Sequence, residues 1–147
     1  MATRVWHLPV RLAAGAYILD QGISKLGLDE QRAARLRDQA AIVNPRFADL
    51  DPEAFAQLLS LSEVALGVGL LGIGVVPPGL AGLGLVGFGG SLVSLYVKAP
   101  GMRQDDGLRP TPQGMTVSKD IWLLAMGAAL VLDALFGPRR RRRRRRS

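Results

Sequence analysis

The sequence predicts an all-α protein, a bundle of four transmembrane helices with a short amphipathic helix between the first and the second. Composition favours a membrane protein, because 48% of the 147 residues are hydrophobic and 18 are glycine, which is more frequent in transmembrane helices than in soluble ones. Four apolar stretches, separated by segments rich in charge, glycine and proline, define the spans. We place them at about residues 5–26, 54–76, 79–97 and 117–136.

The first span carries charged side chains whose transfer into lipid is energetically unfavourable. At about 100° per residue, Arg11 and Lys25 fall on one stripe of this helix. Gly15 and Gly22 lie on the same stripe, which therefore combines charged side chains with grooves where glycine has no side chain. We expect this face to contact protein, because a charge at mid-membrane costs roughly 2.5–3.5 kcal/mol on insertion scales.

The second and third spans are rich in glycine. Asp51-Pro52 is typical of a helix start, with an acid at the N-cap and proline in the first turn. Glu63 and Gly67 then share a stripe of the second span. Small residues let transmembrane helices approach closely. The glycines that we predict at helix contacts are Gly15, Gly22, Gly67, Gly74, Gly87 and Gly90.

Residues 28–51 have mixed charge and a weak amphipathic pattern. Ala33, Leu36, Ala40 and Val43 share one face, which indicates a short helix. Two interpretations stay open: a helix lying at the membrane interface, or a loop helix that covers the mouth of the bundle.

The basic charge of the chain is concentrated after the last span. Eight of the 19 basic residues form one run, without which the chain has 11 basic and 12 acidic residues. We assign residues 1–138 to the membrane domain and 139–147 to a disordered tail that binds anionic lipid rather than a specific nucleic acid. The positive-inside rule then places both termini on the cytoplasmic side of the cell membrane. The predicted lipid-binding residues are Arg139, Arg140, Arg141, Arg142, Arg143, Arg144, Arg145 and Arg146.

This topology predicts two groups of charged residues at opposite depths. Near the outer boundary we expect a polar cluster whose members are Asp20, Gln21, Lys25 and Glu63. Near the inner boundary we expect Arg11 to pair with Asp133. Intramembrane ionisable residues justify a functional hypothesis for the outer cluster, either a ligand site or a proton-accepting acid. A structural ion pair that locks the first span to the second is the other interpretation.

The sequence contains no cysteine and one histidine. Thiolate catalysis, iron–sulfur ligation and two-histidine haem ligation are therefore excluded for its own side chains. The sequence contains no recognisable combination of a nucleophile with a general base, and none of metal-ligating residues. We therefore predict no cofactor or metal. An enzyme acting alone is the least favoured class.

Arg11-x3-Gly15-x6-Gly22-x2-Lys25, followed by Glu63-x3-Gly67, resembles the DoxX family of small four-span membrane proteins. The resemblance covers about residues 8–135. It implies a membrane component of an oxidoreductase assembly, as in thiosulfate oxidation with quinone or in systems with sulfurtransferase and superoxide dismutase partners. The function it implies is a non-catalytic anchoring or organising subunit that recruits a soluble redox protein.

The alternative function is a small transporter or a lipid- or quinone-binding membrane protein. It would use the polar cluster around Asp20 and Glu63. A cavity at that depth would favour this alternative, whereas a packed and dry interior would favour the subunit.

Overall fold

The computed structural model describes residues 4–137. This part of the chain is helical and contains no β-strand, which confirms the all-α prediction. Pro138 and the predicted arginine tail lie outside the described residues. The helices are α1 (His7–Ser24), α2 (Glu30–Val43), a 3-10 helix (Pro45–Asp49), α3 (Pro52–Leu71), α4 (Pro78–Lys98), α5 (Met115–Ser118) and α6 (Ile121–Phe136).

Local sequence sets where two of these helices begin. The Asp29 side chain accepts a hydrogen bond from the backbone nitrogen of Arg32 at 2.8 Å, which caps α2. Asp51 accepts from the backbone nitrogen of Ala54 at 2.9 Å, and proline follows it in the first turn of α3. The predicted start of the second long helix therefore differs by only two residues from the start in the structure.

Two helices are long and apolar enough to cross a membrane, as judged by length and composition. They are α3 and α4, with 20 and 21 residues and a mean hydropathy of 1.7 each. By contrast, α1 has 18 residues and α6 has 16. The predicted fourth span is divided at Lys119 and Asp120, where α5 ends and α6 has not yet begun.

Helices α1 and α3 pack against each other in antiparallel directions through glycines. A Cβ atom at Gly22 would lie 2.8 Å from the backbone nitrogen of Val64, and one at Gly67 would lie 2.7 Å from that of Leu19. Gly15 likewise leaves space for the side chains of Leu70 and Leu71 at the end of α3. The structure thus places three of the predicted glycines at one helix contact.

Helices α4 and α6 form a second antiparallel pair that also depends on glycine. A Cβ atom at Gly89 would lie 2.6 Å from the backbone nitrogen of Leu124, and one at Gly127 would lie 2.7 Å from that of Val86. Neither glycine is among the packing positions predicted from the sequence, although both fill that role.

The other predicted glycines do not lie at helix contacts. The backbone leaves helical geometry at Gly72, with ψ 59°, so α3 ends at Leu71 rather than near 76, and Gly74 lies in the following turn with φ +89°, a conformation that glycine adopts readily. A Cβ atom at Gly74, Gly87 or Gly90 would meet no atom within 4 Å. The physical reason for Gly87 and Gly90 is that α4 presents its other face to α6.

The two helix pairs meet in a core of small and branched side chains. Ile18, Leu70, Leu85 and Leu130 are fully buried and come from all four long helices. Helix α2 packs against α3 and α4 and so joins the two pairs at one end of the bundle. Its Ala33 is 0% exposed, so one face of α2 is turned to the protein.

Candidate functional site

A cleft of about 560 Å³ lies at the end of the bundle that α2 covers. Small-molecule pockets are typically of roughly 300–1,000 Å³. Helices α1, α2, α3 and α4 all contribute to its lining. Side chains from these helices and from the 3-10 helix make most of the wall apolar, among them Leu36, Phe47, Phe55, Leu59, Phe88 and Leu92.

One end of this cleft is polar and charged. Its side chains are Tyr17, Gln21, Lys25, Glu63 and Asp120. Three of them recur every fourth residue along α1, so they share one helix face. The cleft is therefore amphipathic, with an apolar body and a charged end, which we call the polar end.

Lys25 and Glu63 form an ion pair at the polar end. Lys25 Nζ lies 2.8 Å from Glu63 Oε2 and also donates to the backbone oxygen of Gln21 at 3.1 Å. The Glu63 side chain is 3% exposed, so a charge there needs a partner. Close packing of α1 on α3 at Gly22 brings the two side chains together, and the buried Ser60 hydroxyl donates to the Gly22 oxygen at 2.7 Å beside them.

Tyr17 and Asp120 belong to the polar end but are absent from the predicted cluster. The Tyr17 hydroxyl donates to Asp120 Oδ1 at 3.4 Å, a long hydrogen bond that joins α1 to the start of α6. The four-residue spacing of Tyr17, Gln21 and Lys25 was the signal that could have identified the tyrosine. For Asp120 the signal was the four-span topology, which puts the start of the fourth span on the same side as Lys25 and Glu63, although it does not show which way the side chain faces.

Asp20 does not join the predicted cluster. It is exposed and does not line the cleft, whereas its neighbour Gln21 does. The physical reason is the helical rotation of 100° per residue, which turns Asp20 away from the face that carries Tyr17 and Lys25. The structure therefore brings together Gln21, Lys25 and Glu63 from the predicted set and leaves Asp20 outside.

The predicted pair of Arg11 and Asp133 is not formed. Arg11 is 0% exposed, and its guanidinium donates to four backbone oxygens near the C-terminal end of α3. The acceptors and distances are Leu70 at 2.8 Å, Gly69 at 2.9 Å, Val76 at 3.0 Å and Gly72 at 3.2 Å. The last carbonyls of a helix lack partners within the helix, so Arg11 supplies donors where α3 ends.

Asp133 instead binds two residues from the N-terminal segment. Arg4 Nη1 lies 2.6 Å from Asp133 Oδ1, and His7 Nε2 lies 3.1 Å from Asp133 Oδ2. His7 Nδ1 accepts from the backbone nitrogen of Arg4 at 3.2 Å, so the proton of a neutral imidazole resides on Nε2. The lone histidine is 1% exposed and joins the start of α1 to the end of α6.

Comparison of the chain with models of known protein families, with characterised proteins and with solved structures finds no match. The resemblance to the DoxX family thus rests on the spacing of residues in the sequence, and membership of that family stays a prediction.

Proposed function

We propose that this protein is an integral membrane protein with four spanning helices that binds an amphiphilic small molecule in the cleft. The apolar part of the ligand would lie against the walls formed by α2, α3 and α4. Its polar part would reach the polar end. The observation that carries the proposal is the cleft itself, a cavity of ligand size with an apolar body and charged groups at one end.

The membrane location is supported by hydrogen bonds and ion pairs that polar side chains of α1 and α6, the two shorter predicted spans, make inside the protein. Arg11 in α1 is satisfied by backbone oxygens of α3, and Asp133 in α6 by Arg4 and His7. Polar groups within a membrane are expected to be paired inside the protein in this way. The outward faces carry large apolar side chains, which include Leu12, Leu61, Leu83, Leu132 and Leu135. An exposed apolar surface of that extent is typical of contact with a membrane or a partner protein.

Ligand binding can be tested by filling the cleft. Ala40 lines it from α2, and Ala40→Phe would place a ring in the space. The matched control is Ala65→Phe, at an exposed position of α3 that does not line the cleft. The protein would be reconstituted in nanodiscs and titrated with the neutral dye N-phenyl-1-naphthylamine, with protein-free nanodiscs as the blank.

We expect saturable fluorescence enhancement with the wild-type protein and with Ala65→Phe. Binding to Ala40→Phe should be at least about tenfold weaker, which corresponds to 1.4 kcal/mol. If neither this dye nor a charged amphiphilic probe adds saturable binding to that of empty nanodiscs, the proposal is wrong. Equal binding by the two variants would also refute it, because the dye would then lie elsewhere.

The second candidate is a non-catalytic anchoring or organising subunit of a membrane-associated oxidoreductase system. The resemblance to the DoxX family supports it, and the engagement of the only histidine with Asp133 agrees with a subunit that carries no redox group of its own. Purification from native membranes followed by identification of bound proteins tests it. A redox protein that is retained equally by wild type and Ala40→Phe would favour anchoring, whereas recovery of the chain alone would contradict it.

A further inference from the structure

The charge at the polar end restricts the ligands that the cleft can take. Its lining carries two carboxylates, Glu63 and Asp120, and one ammonium group, that of Lys25. The formal charge of the lining is therefore −1. Lys119 and Asp20 lie nearby in sequence, but both are exposed, outside the lining and opposite in sign.

The two carboxylates differ in how they are compensated. Glu63 is buried and its charge is matched by Lys25 at 2.8 Å. Asp120 is half-buried and accepts only the neutral Tyr17 hydroxyl, at 3.4 Å. No ion pair joins Asp120 to any other residue between positions 4 and 137. The lining therefore carries one carboxylate more than ammonium groups, and Asp120 is the carboxylate that the Lys25 ammonium does not contact directly.

Aromatic rings are concentrated around the same cleft. The chain has eight aromatic residues of the Phe, Trp and Tyr types, and four of them line the cavity: Tyr17, Phe47, Phe55 and Phe88. Phe47 and Phe55 pack with their ring centroids 5.3 Å apart. The face of an aromatic ring attracts a cation, and more strongly where water is excluded. Aromatic walls and an excess carboxylate both favour a positive ligand over a negative one.

We propose that the ligand of the cleft is a lipophilic cation, with its positive charge beside Asp120 and Tyr17 and its apolar groups against the phenylalanines. This inference rests on the proposed ligand-binding function and specifies the class of ligand. An anionic amphiphile such as a fatty acid would instead add a negative charge to a lining that already has an excess carboxylate. A neutral amphiphile would leave the charge of Asp120 unmatched.

Two probes of nearly the same shape and opposite charge separate these ligand classes. Tetraphenylphosphonium is a lipophilic cation and tetraphenylborate a lipophilic anion. Each would be titrated into the wild-type protein in nanodiscs of zwitterionic lipid, and only saturable binding above that of protein-free nanodiscs would be counted. We expect tetraphenylphosphonium to bind at least about tenfold more tightly than tetraphenylborate, a difference of 1.4 kcal/mol.

Variants then locate the charge that is responsible. Asp120→Asn removes the charge and keeps a hydrogen-bond acceptor for Tyr17, so we expect the affinity for tetraphenylphosphonium to fall about tenfold. Asp20→Asn is the matched control, because it removes an exposed acid from outside the cleft, and it should leave the affinity unchanged. Binding of the neutral dye by both variants reports that the cleft is intact.

The outcomes for the two proposals are distinguishable. Equal or tighter binding of tetraphenylborate by the wild-type protein overturns the cation proposal. Unchanged affinity of Asp120→Asn for tetraphenylphosphonium does so as well, and that comparison holds even if the anion partitions strongly into lipid. If the neutral dye binds and tetraphenylphosphonium does not, the cation proposal fails while the ligand-binding function stands. If none of the three probes binds, both are wrong.

Discussion

Arg11 offers the sharpest test of how this bundle is held together. Its guanidinium makes four hydrogen bonds of 2.8–3.2 Å to backbone oxygens at the end of α3. The substitution Arg11→Met keeps a long flexible side chain and removes every donor. The oxygens of Gly69, Leu70 and Val76 then lose this donor at a site where Arg11 is 0% exposed, whereas the Gly72 oxygen keeps the backbone nitrogens of Val75 and Val76 as partners.

The magnitude follows from these bonds and from the cost of burying the charge. Hydrogen bonds to a charged group contribute about 1.5–3 kcal/mol each, so four give roughly 6–12 kcal/mol before other terms. Desolvation of the guanidinium offsets several kcal/mol of that. Leaving a buried neutral acceptor unsatisfied costs about 1–3 kcal/mol, and removing the buried charge recovers part of the total, so we expect Arg11→Met to lower the free energy of unfolding by about 3–5 kcal/mol.

Two further variants make the measurement specific. Arg11→Lys retains the charge, but one ammonium group cannot reproduce the planar fork that reaches four oxygens, so its loss should lie between those of wild type and Arg11→Met. Arg35→Met removes an exposed arginine from α2 and should change the stability by less than about 0.5 kcal/mol.

Unfolding would be followed by circular dichroism as sodium dodecyl sulfate is added to protein in mixed micelles. The expected order of midpoints is wild type and Arg35→Met together, then Arg11→Lys, then Arg11→Met. If Arg11→Met unfolds at the same midpoint as Arg35→Met, the guanidinium does not stabilise the end of α3 and the reasoning is wrong.

Three other predictions follow from packing, charge and topology. Gly89→Ala should destabilise the protein by about 1–3 kcal/mol, because its Cβ atom would lie 2.6 Å from backbone of α6. Gly90→Ala should instead be neutral or stabilise α4 by up to about 1 kcal/mol, since its Cβ atom meets nothing within 4 Å; equal effects in detergent melts would contradict the packing argument. Lys25→Met and Glu63→Gln should each lower the melting temperature, because each breaks the ion pair. A variant in which the two residues are exchanged should recover part of the lost melting temperature. If neither single variant melts at a lower temperature, the ion pair does not hold α1 to α3. Deletion of residues 139–147 should weaken or invert the membrane orientation without changing helix packing, as measured by accessibility of introduced cysteines; an unchanged orientation would contradict the positive-inside assignment.

Much of the local structure could be predicted from the sequence because its causes are local. Asp51-Pro52 marks the start of α3 by supplying a cap and a proline where no backbone donor is needed. The position of α4 was predicted to within a residue at each end, since prolines precede it and a charged, proline-rich loop follows. The end of α3 was misplaced, because hydrophobicity continues past Leu71 while the backbone leaves helical geometry at Gly72.

For the charged residues, spacing in the sequence predicts depth along a helix but not which partners the side chains contact. Lys25 and Glu63 were predicted together because Lys25 lies closer to the outer boundary and is long enough to reach down to the depth of Glu63, and the structure forms that pair. The same reasoning about depth assigned Arg11 to Asp133, and the structure gives both residues other partners. Similar depth does not determine which way a helix is rotated, and the unsatisfied carbonyls at a helix end compete for a buried arginine as a carboxylate does.

By itself, the sequence determined that this protein is helical, that its helices are apolar and rich in glycine, and that Gly22, Lys25, Glu63 and Gly67 lie on two glycine-bearing helix faces. These properties follow from periodicity, which a single chain displays along its length. Only the tertiary structure decided that α2 closes a cleft, that Asp20 faces away from it, and that Asp120 enters it from α6. The reason is that a cavity and the net charge of its lining depend on how separate helices are rotated and placed against one another. The residue pattern within a single helix does not contain that information.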